Sequence, residues 1–256
     1  MTRMTRGEVE VVPTTEALMR AAAQSFVSSS ADAIRSTGRF AVALSGGSTP
    51  KSLYTLLASD PYVASIDWSR VHVFWGDERC LAPDHPSSNY RMTRDALLSR
   101  VPIPEGNVHR IRGEEDPTVS AAAYERELRT VFATDAGPPR SERGAGFDLV
   151  LLGMGDNGHT ASLFPGLRAV RETQRWVMAE YVAEVSMWRV TLTPVVINAA
   201  AEVVFLVAGG TKAAMLRRVL DGPREPDVLP AQAVAPRHGR LRWLVDVAAA
   251  AQLERS

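Results

Sequence analysis

Four short polar segments hold the residue types that anion binding and proton transfer require. The first, Ser45-Gly46-Gly47-Ser48-Thr49-Pro50, follows an apolar run. Glycines let the backbone come close to a ligand, and successive N–H groups at a helix start attract negative charge. The hydroxyls of Ser45, Ser48 and Thr49 add donors, so the segment reads as a phosphate cradle. It lacks the spacing of a P-loop, and a tight turn with a helix cap is the plainer alternative. The second segment is Gly76-Asp77-Glu78-Arg79. A guanidinium suits phosphate because its donors are forked and permanently charged. Asp77 can orient a histidine or take a proton, the alternative being a solvated charged turn.

The third segment, Gly153-Met154-Gly155-Asp156-Asn157-Gly158-His159, contains a literal G-x-G-x-x-G. A dinucleotide-binding turn feeds a full crossover helix. Here Pro165 and Gly166 stop any helix soon after it starts, because proline cannot continue one. The informative residue is instead His159, expected near the start of a short helix and projecting into a cleft. An imidazole of ordinary pKa, about 6.5, can take a proton from water near neutrality. The fourth segment, Gly209-Gly210-Thr211-Lys212, reads as a helix start whose lysine meets an anion. A capped helix with an exposed lysine is the alternative there.

The remaining candidates are weaker. His72 alternates with apolar residues and reads as structural, while His85, His109 and His238 sit beside proline or arginine. Cys80 is the one cysteine, so an intrachain disulfide and a multi-cysteine zinc site are excluded. It reads as small and partly buried. No H-E-x-x-H or comparable pattern occurs, and neither a metal nor a cofactor is expected.

The polar segments need elements to hold them together. Apolar runs precede each one: Arg39–Leu44, Val71–Trp75, Phe147–Leu152 and Ala201–Ala208, with Arg240–Asp246 as a further run. Short continuous apolar runs suit strands covered on both faces. Helical stretches alternate with them: Thr15–Ser36, Lys51–Ala58, Ser87–Arg100, Thr118–Ala133 and Thr211–Leu220. This alternation predicts an open, Rossmann-like α/β fold, a mostly parallel sheet with helices on both faces. Val182–Thr193 is a candidate extra strand pair, and Asn89 and Tyr90 are placed to line the cleft. Asp135–Gly146 and Asp221–Pro230 read as surface loops within a single domain spanning residues 1–256. Ligands of such sheets bind beyond the carboxyl ends of the strands, so the four segments are expected to converge.

Composition bounds the rest. Lys plus Arg and Asp plus Glu number 29 each, a formal net charge of zero. That balance makes no electrostatic case for a nucleic-acid or membrane-surface partner. No signal peptide or membrane-spanning run is evident, so a cytoplasmic location is the expectation.

Together these segments resemble the 6-phosphogluconolactonase family. The resemblance rests on Ala43-Leu-Ser-Gly-Gly-Ser-Thr-Pro50, on Gly76-Asp-Glu-Arg79 followed by Ser88-Asn89-Tyr90, and on Gly158-His-Thr-Ala-Ser-Leu-Phe-Pro165. It continues through Arg189-Val-Thr-Leu-Thr193, Ile197-Asn198 and Gly209-Gly-Thr-Lys212. Glucosamine-6-phosphate deaminases of the same superfamily look similar at the first two motifs. They continue Gly-His with Ile-Ala-Phe-Asn-Glu-Pro and have Asp-Glu-Tyr where this chain has Asp77-Glu78-Arg79. Lactonases usually have Asp-Gly-His, whereas this chain has Asn157-Gly158-His159 with an acid at Asp156. Asp77, Asp156 and Asn157 therefore all stand as partners for His159.

The resemblance implies hydrolysis of a phosphorylated sugar lactone, 6-phosphogluconolactone, with no metal or cofactor. Ser45–Thr49, Arg79 and Lys212, with Arg189 as a further candidate, would hold the phosphate. His159 would activate water, aided by Asp77, and the N–H groups of Gly155 and Gly158 would receive the oxyanion. A deaminase or isomerase and a non-catalytic sugar-phosphate sensor are the competing functions.

Overall fold

The computed structural model describes residues 7–133 and 146–254. The chain begins with strand β1 (Glu8–Val12), helix α1 (Thr15–Thr37), β2 (Phe40–Leu44), α2 (Ser48–Leu57), β3 (Val71–Trp75) and β4 (Asp77–Arg79). Next come α3 (Asn89–Ala96), α4 (Pro117–Ala133), β5 (Leu149–Leu152), β6 (Val177–Val182) and β7 (Met187–Leu192). The chain closes with α5 (Pro194–Ile197), β8 (Glu202–Val207), α6 (Ala213–Asp221), β9 (Arg240–Asp246) and α7 (Val247–Ala250). Short 3-10 turns join several of these.

Local signals set the element ends. Thr14 Oγ1 accepts from the Ala17 N–H at 3.2 Å and caps α1. Gly38, left-handed at φ 81°, closes α1 and donates to Ile34 O. A left-handed residue costs glycine nothing.

Six strands form a sheet in the order β1-β9-β8-β5-β2-β3, and every pairing in it is parallel. Every residue of β2, β5 and β8 is buried. Strands buried on both faces show continuous apolar sequence rather than alternation, so the expected α/β sheet is present. From β2 the chain moves outward to β3, then returns to place β5 on the other side of β2. The switch in direction opens a crevice at the carboxyl ends of β2 and β5.

A second, antiparallel sheet, β4-β7-β6, packs against α4. Its hairpin corrects the expectation of a strand pair at Val182–Thr193, because pairing starts at Val177 and already turns at residues 183–186. Gly76 joins the two sheets: its N–H donates to Leu44 O of β2, and its carbonyl accepts from Leu192 N of β7, both at 2.8 Å. Gly76-Asp77-Glu78-Arg79 is thus a strand entry rather than a solvated turn. No helix forms around His159, which corrects the short helix expected there. Positive φ at Gly158 (79°) and Ala161 (48°) interrupts helical geometry, and a Thr160–Leu163 bridge folds the segment back.

The Asp135–Gly146 loop lies outside the described residues except for Gly146. Among the described residues no helix is long and apolar enough to cross a membrane.

Candidate active site

A cleft of about 510 Å³ occupies the crevice. Ser45, Gly46 and Gly47 reach it from the end of β2, Asp77 and Arg79 from β4, and Arg189 from β7. Gly153 to Asn157 and His159 line it from the end of β5. Strand order therefore brings together segments that are far apart in sequence.

His159 is held on three sides. Its Nδ1 meets Asn157 Oδ1 at 2.6 Å, and its backbone N–H donates to the same oxygen at 3.1 Å. An amide oxygen only accepts, so Nδ1 carries the proton in the neutral ring and Nε2 carries the lone pair. Nε2 has no protein partner among the described residues. The ring stacks on Phe164, with centroids 4.1 Å apart and planes 15° apart. It also lies against Gly155, where a Cβ atom would come within 2.0 Å of the ring. Only a glycine leaves room for the imidazole there. The ring thus lines the cleft with its Nδ1 edge tied to Asn157.

On the other side of the cleft several donors stand without an acceptor. Gly47 opens α2 with no side-chain cap, so the first N–H groups of the helix lack a side-chain acceptor. Ser45 Oγ is buried and has no hydrogen-bond partner. The buried Tyr54 hydroxyl accepts from Ser45 N at 2.9 Å and donates to Ser45 O at 2.8 Å, fixing this turn. Gly46 packs against Asn89, whose Oδ1 would lie 1.9 Å from an added Cβ. Asn89 is set in turn by Glu78, a buried carboxylate that accepts from Asn89 N, Tyr90 N and the Ser88 hydroxyl. Glu78 thereby caps α3, and burial pushes its carboxyl above the ordinary range against the pull of those N–H donors.

Arg79 and Arg189 are the cationic side chains that line the cleft among the described residues. The Nε atom of each is buried without a partner, although Arg79 Nη1 donates to Ser87 O. Asp77 accepts from Ser162 Oγ at 2.7 Å and Asn89 Nδ2 at 3.2 Å, and lies 3.8 Å from Arg189 Nη1. It is therefore not hydrogen-bonded to His159. Its place is to hold Arg189 and Asn89 while adding negative charge near the imidazole.

Several expected roles need correction. Lys212 is not in the cleft lining; its Nζ is paired with Asp156 Oδ1 at 2.5 Å. Both proposed oxyanion donors are already engaged, Gly155 N with His159 O at 2.9 Å and Gly158 N with Gly155 O at 3.1 Å. A tight turn satisfies its own N–H groups before any ligand arrives. Ser48 and Thr49 begin α2 and do not line the cleft themselves. Of the three partners open for His159, the structure places Asn157 on the ring.

Burial is the main influence on His159 and lowers its pKa from the ordinary value. Asp77 opposes that shift, Lys212 and Arg189 reinforce it, and Glu184 opposes it. The expected result is an imidazole that stays neutral to a pH below about 6.5. An NMR titration of the His159 ring in the free protein checks this, and a midpoint above that value contradicts it. Cys80 is a poor nucleophile here, because burial first and the Glu78 charge second push its thiol up to about 11. Among the described residues no group of three or more His, Cys, Asp or Glu is placed to hold a metal ion.

Sequence reasoning missed Glu184, and it gave Ser162 and Phe164 no role beyond their place in the Gly158–Pro165 motif. Ser162 and Phe164 follow His159 closely, and a serine beside the base segment was a usable signal. Glu184 has no local motif around it and is brought in by the β6–β7 turn alone.

Comparison with known proteins follows the same outline. A family profile described as glucosamine-6-phosphate isomerases/6-phosphogluconolactonase matches residues 13–243. A 6-phosphogluconolactonase from a Nostoc species is 42% identical over 246 residues, covering 96% of this chain and 98% of the relative. The solved 6-phosphogluconolactonase from Trypanosoma cruzi superposes with a TM-score of 0.85 at 31% identity, covering 100% of both chains. A monomeric glucosamine-6-phosphate deaminase shares the fold at a TM-score of 0.80 and 21% identity, covering 96% of this chain and 99% of the other. With its parallel sheet, its switch-point cleft and a match through most of its length, this chain belongs to the glucosamine-6-phosphate isomerase/6-phosphogluconolactonase family.

Proposed function

We propose that the protein hydrolyses 6-phospho-D-glucono-1,5-lactone to 6-phospho-D-gluconate. One observation carries this reading: an imidazole with Nδ1 tied to Asn157 and Nε2 free shares a cleft with an anion cradle. The similarity to named 6-phosphogluconolactonases supports the same substrate.

The phosphate is held by the Ser45–Gly47 turn, the start of α2 and Arg79. Ser48 and Thr49 contribute backbone N–H groups rather than their side chains. Binding energy from this remote group positions the reacting carbonyl. A water loses a proton to His159 Nε2 as its oxygen bonds to C1, and the carbonyl electron pair moves onto oxygen. Arg189 is the donor left for that oxyanion, since the Gly155 and Gly158 N–H groups are occupied and its buried Nε is free. The pair then re-forms the carbonyl, the bond from C1 to the ring oxygen breaks, and the imidazolium returns its proton to that oxygen. Lys212 acts through Asp156, fixing the loop that carries Asn157 and His159.

Fresh lactone, generated enzymatically and followed with and without the protein, tests the reading. Loss no faster than spontaneous opening overturns it. Ammonia released from glucosamine-6-phosphate instead would make it a deaminase. For Arg79→Ala, KM is expected to rise about 10- to 100-fold with kcat changed less than about 3-fold, the pattern of lost uniform binding. Steady-state kinetics on the fresh lactone checks this, and a kcat loss at constant KM would move Arg79 to the reacting end.

A further inference from the structure

We propose that Glu184 is a positioning residue for His159, acting through the side-chain amide of Asn157. The inference rests on the reading of His159 as the base.

Asn157 Nδ2 donates to Glu184 Oε2 at 2.9 Å, while Asn157 Oδ1 accepts from His159 Nδ1 at 2.6 Å. The three side chains form one hydrogen-bonded line that ends at the ring. A carboxylate only accepts, so the amide nitrogen must face Glu184 and the amide oxygen must face the imidazole. The backbone N–H of His159 reads the same oxygen and agrees with that orientation. A neutral amide oxygen stabilises an imidazolium less than a carboxylate does. Hydrogen bonding of its N–H to a carboxylate polarises the amide and moves negative charge onto that oxygen. Glu184 in this way supplies, one residue removed, the charge that Asn157 lacks.

The surrounding charges favour Glu184 in this role. Asp77, from β4, is committed to Ser162 and Asn89. Asp156, on the histidine's own loop, is committed to Lys212, which precedes α6. Arg189, from β7, adds positive charge to the ring's surroundings. Of the three carboxylates around His159, Glu184 is the one joined to it by continuous hydrogen bonds. It is held at the cleft rim by a 3-10 turn, Ala183–Val185, which closes on Ser186 in the left-handed region at φ 47°. Glu184 is exposed in the free protein, so its influence is modest there. Substrate filling the cleft excludes water and strengthens it, which places the effect on kcat rather than KM.

The test compares Glu184→Gln and Glu184→Ala, each alone and with Asn157→Asp, using fresh lactone across pH. Glutamine keeps an acceptor for Asn157 and removes the charge. Its expected kcat loss is about 3-fold, with the acid limb of kcat moved to lower pH. Alanine removes the tether as well, and the expected loss is about 10-fold. Asn157→Asp sets a carboxylate directly on Nδ1, raises the acid limb, and reduces the effect of either residue-184 change to less than about 2-fold. Parental kcat and acid limb in Glu184→Ala overturn the proposal. So does a residue-184 loss of equal size with and without Asn157→Asp, which marks Glu184 as a substrate contact or a purely structural residue. NMR titration of His159 separates this proposal from the reading it rests on: a lower midpoint in Glu184→Gln supports the coupling even if the lactone is not turned over. An unmoved midpoint overturns it.

Discussion

His159→Ala is expected to lower kcat about 10²- to 10⁴-fold, the span associated with removing a general base. KM should change little, because the proposed anion cradle at the end of β2 makes no hydrogen bond to the histidine side chain. The acid limb of the pH–rate profile should disappear with the ring that produces it. The half-buried ring is not part of the main hydrophobic core, so the variant should stay folded. Its melting temperature and circular dichroism provide the control. Progress curves on fresh lactone, corrected for spontaneous opening, give the answer. A rate within a few-fold of the parent would remove the base assignment, and with it the route from water to C1.

The second large effect is expected from a single methyl group. In Gly155→Ala the new Cβ would sit 2.0 Å from His159 Cε1 and 2.1 Å from Nδ1. Gly155 is not among the residues with positive φ, so its backbone accepts alanine without strain. The ring must move, and its pairing with Asn157 and its stacking on Phe164 are lost together. Misplacing a catalytic group by about 1 Å can cost around 10²-fold, which is the expected fall in kcat. Stability should change far less, because the clash is with a movable side chain at a half-buried site. Combining Gly155→Ala with His159→Ala should cost little more than the histidine change alone, since both act on one imidazole. Additive losses in the double variant would show that Gly155 acts elsewhere, and parental activity in Gly155→Ala would show that the ring need not lie where it does.

The parallel sheet was legible because β2, β3, β5, β8 and β9 are apolar runs ending in polar or glycine-rich residues. Burial on two faces leaves a strand almost no freedom of composition. The strands that escaped notice are at edges. β1 is an outer strand with three of its five residues exposed, and β4 is three residues of charge, Asp77-Glu78-Arg79. A strand of that kind is recognised by the partner it pairs with, here β7, more than a hundred residues away in sequence. The helix expected at His159 failed for a local reason. Gly158 and Ala161 both take positive φ, and an alanine gives no sign of this in sequence.

The site divides in the same way. The amino-acid sequence alone settled which chemistry was on hand: a histidine in a glycine-rich loop, serines and glycines at a strand end, and arginines that suit an anion. Those are properties of residue type and of turns a few residues long, where backbone sterics and spacing act without help. The tertiary structure decided which polar group meets which. It bound Asp156 to Lys212, 56 residues away, and so left His159 to the Asn157 amide of its own loop, whose Gly155 and Gly158 N–H groups are engaged by local turns. It also set Asp77 on Ser162, 85 residues away, and brought Glu184 to the rim. Hydrogen bonds depend on distance to within a few tenths of an ångström and on direction to within a few tens of degrees. Such directions exist only after both sheets have paired and every competing donor and acceptor has found its neighbour.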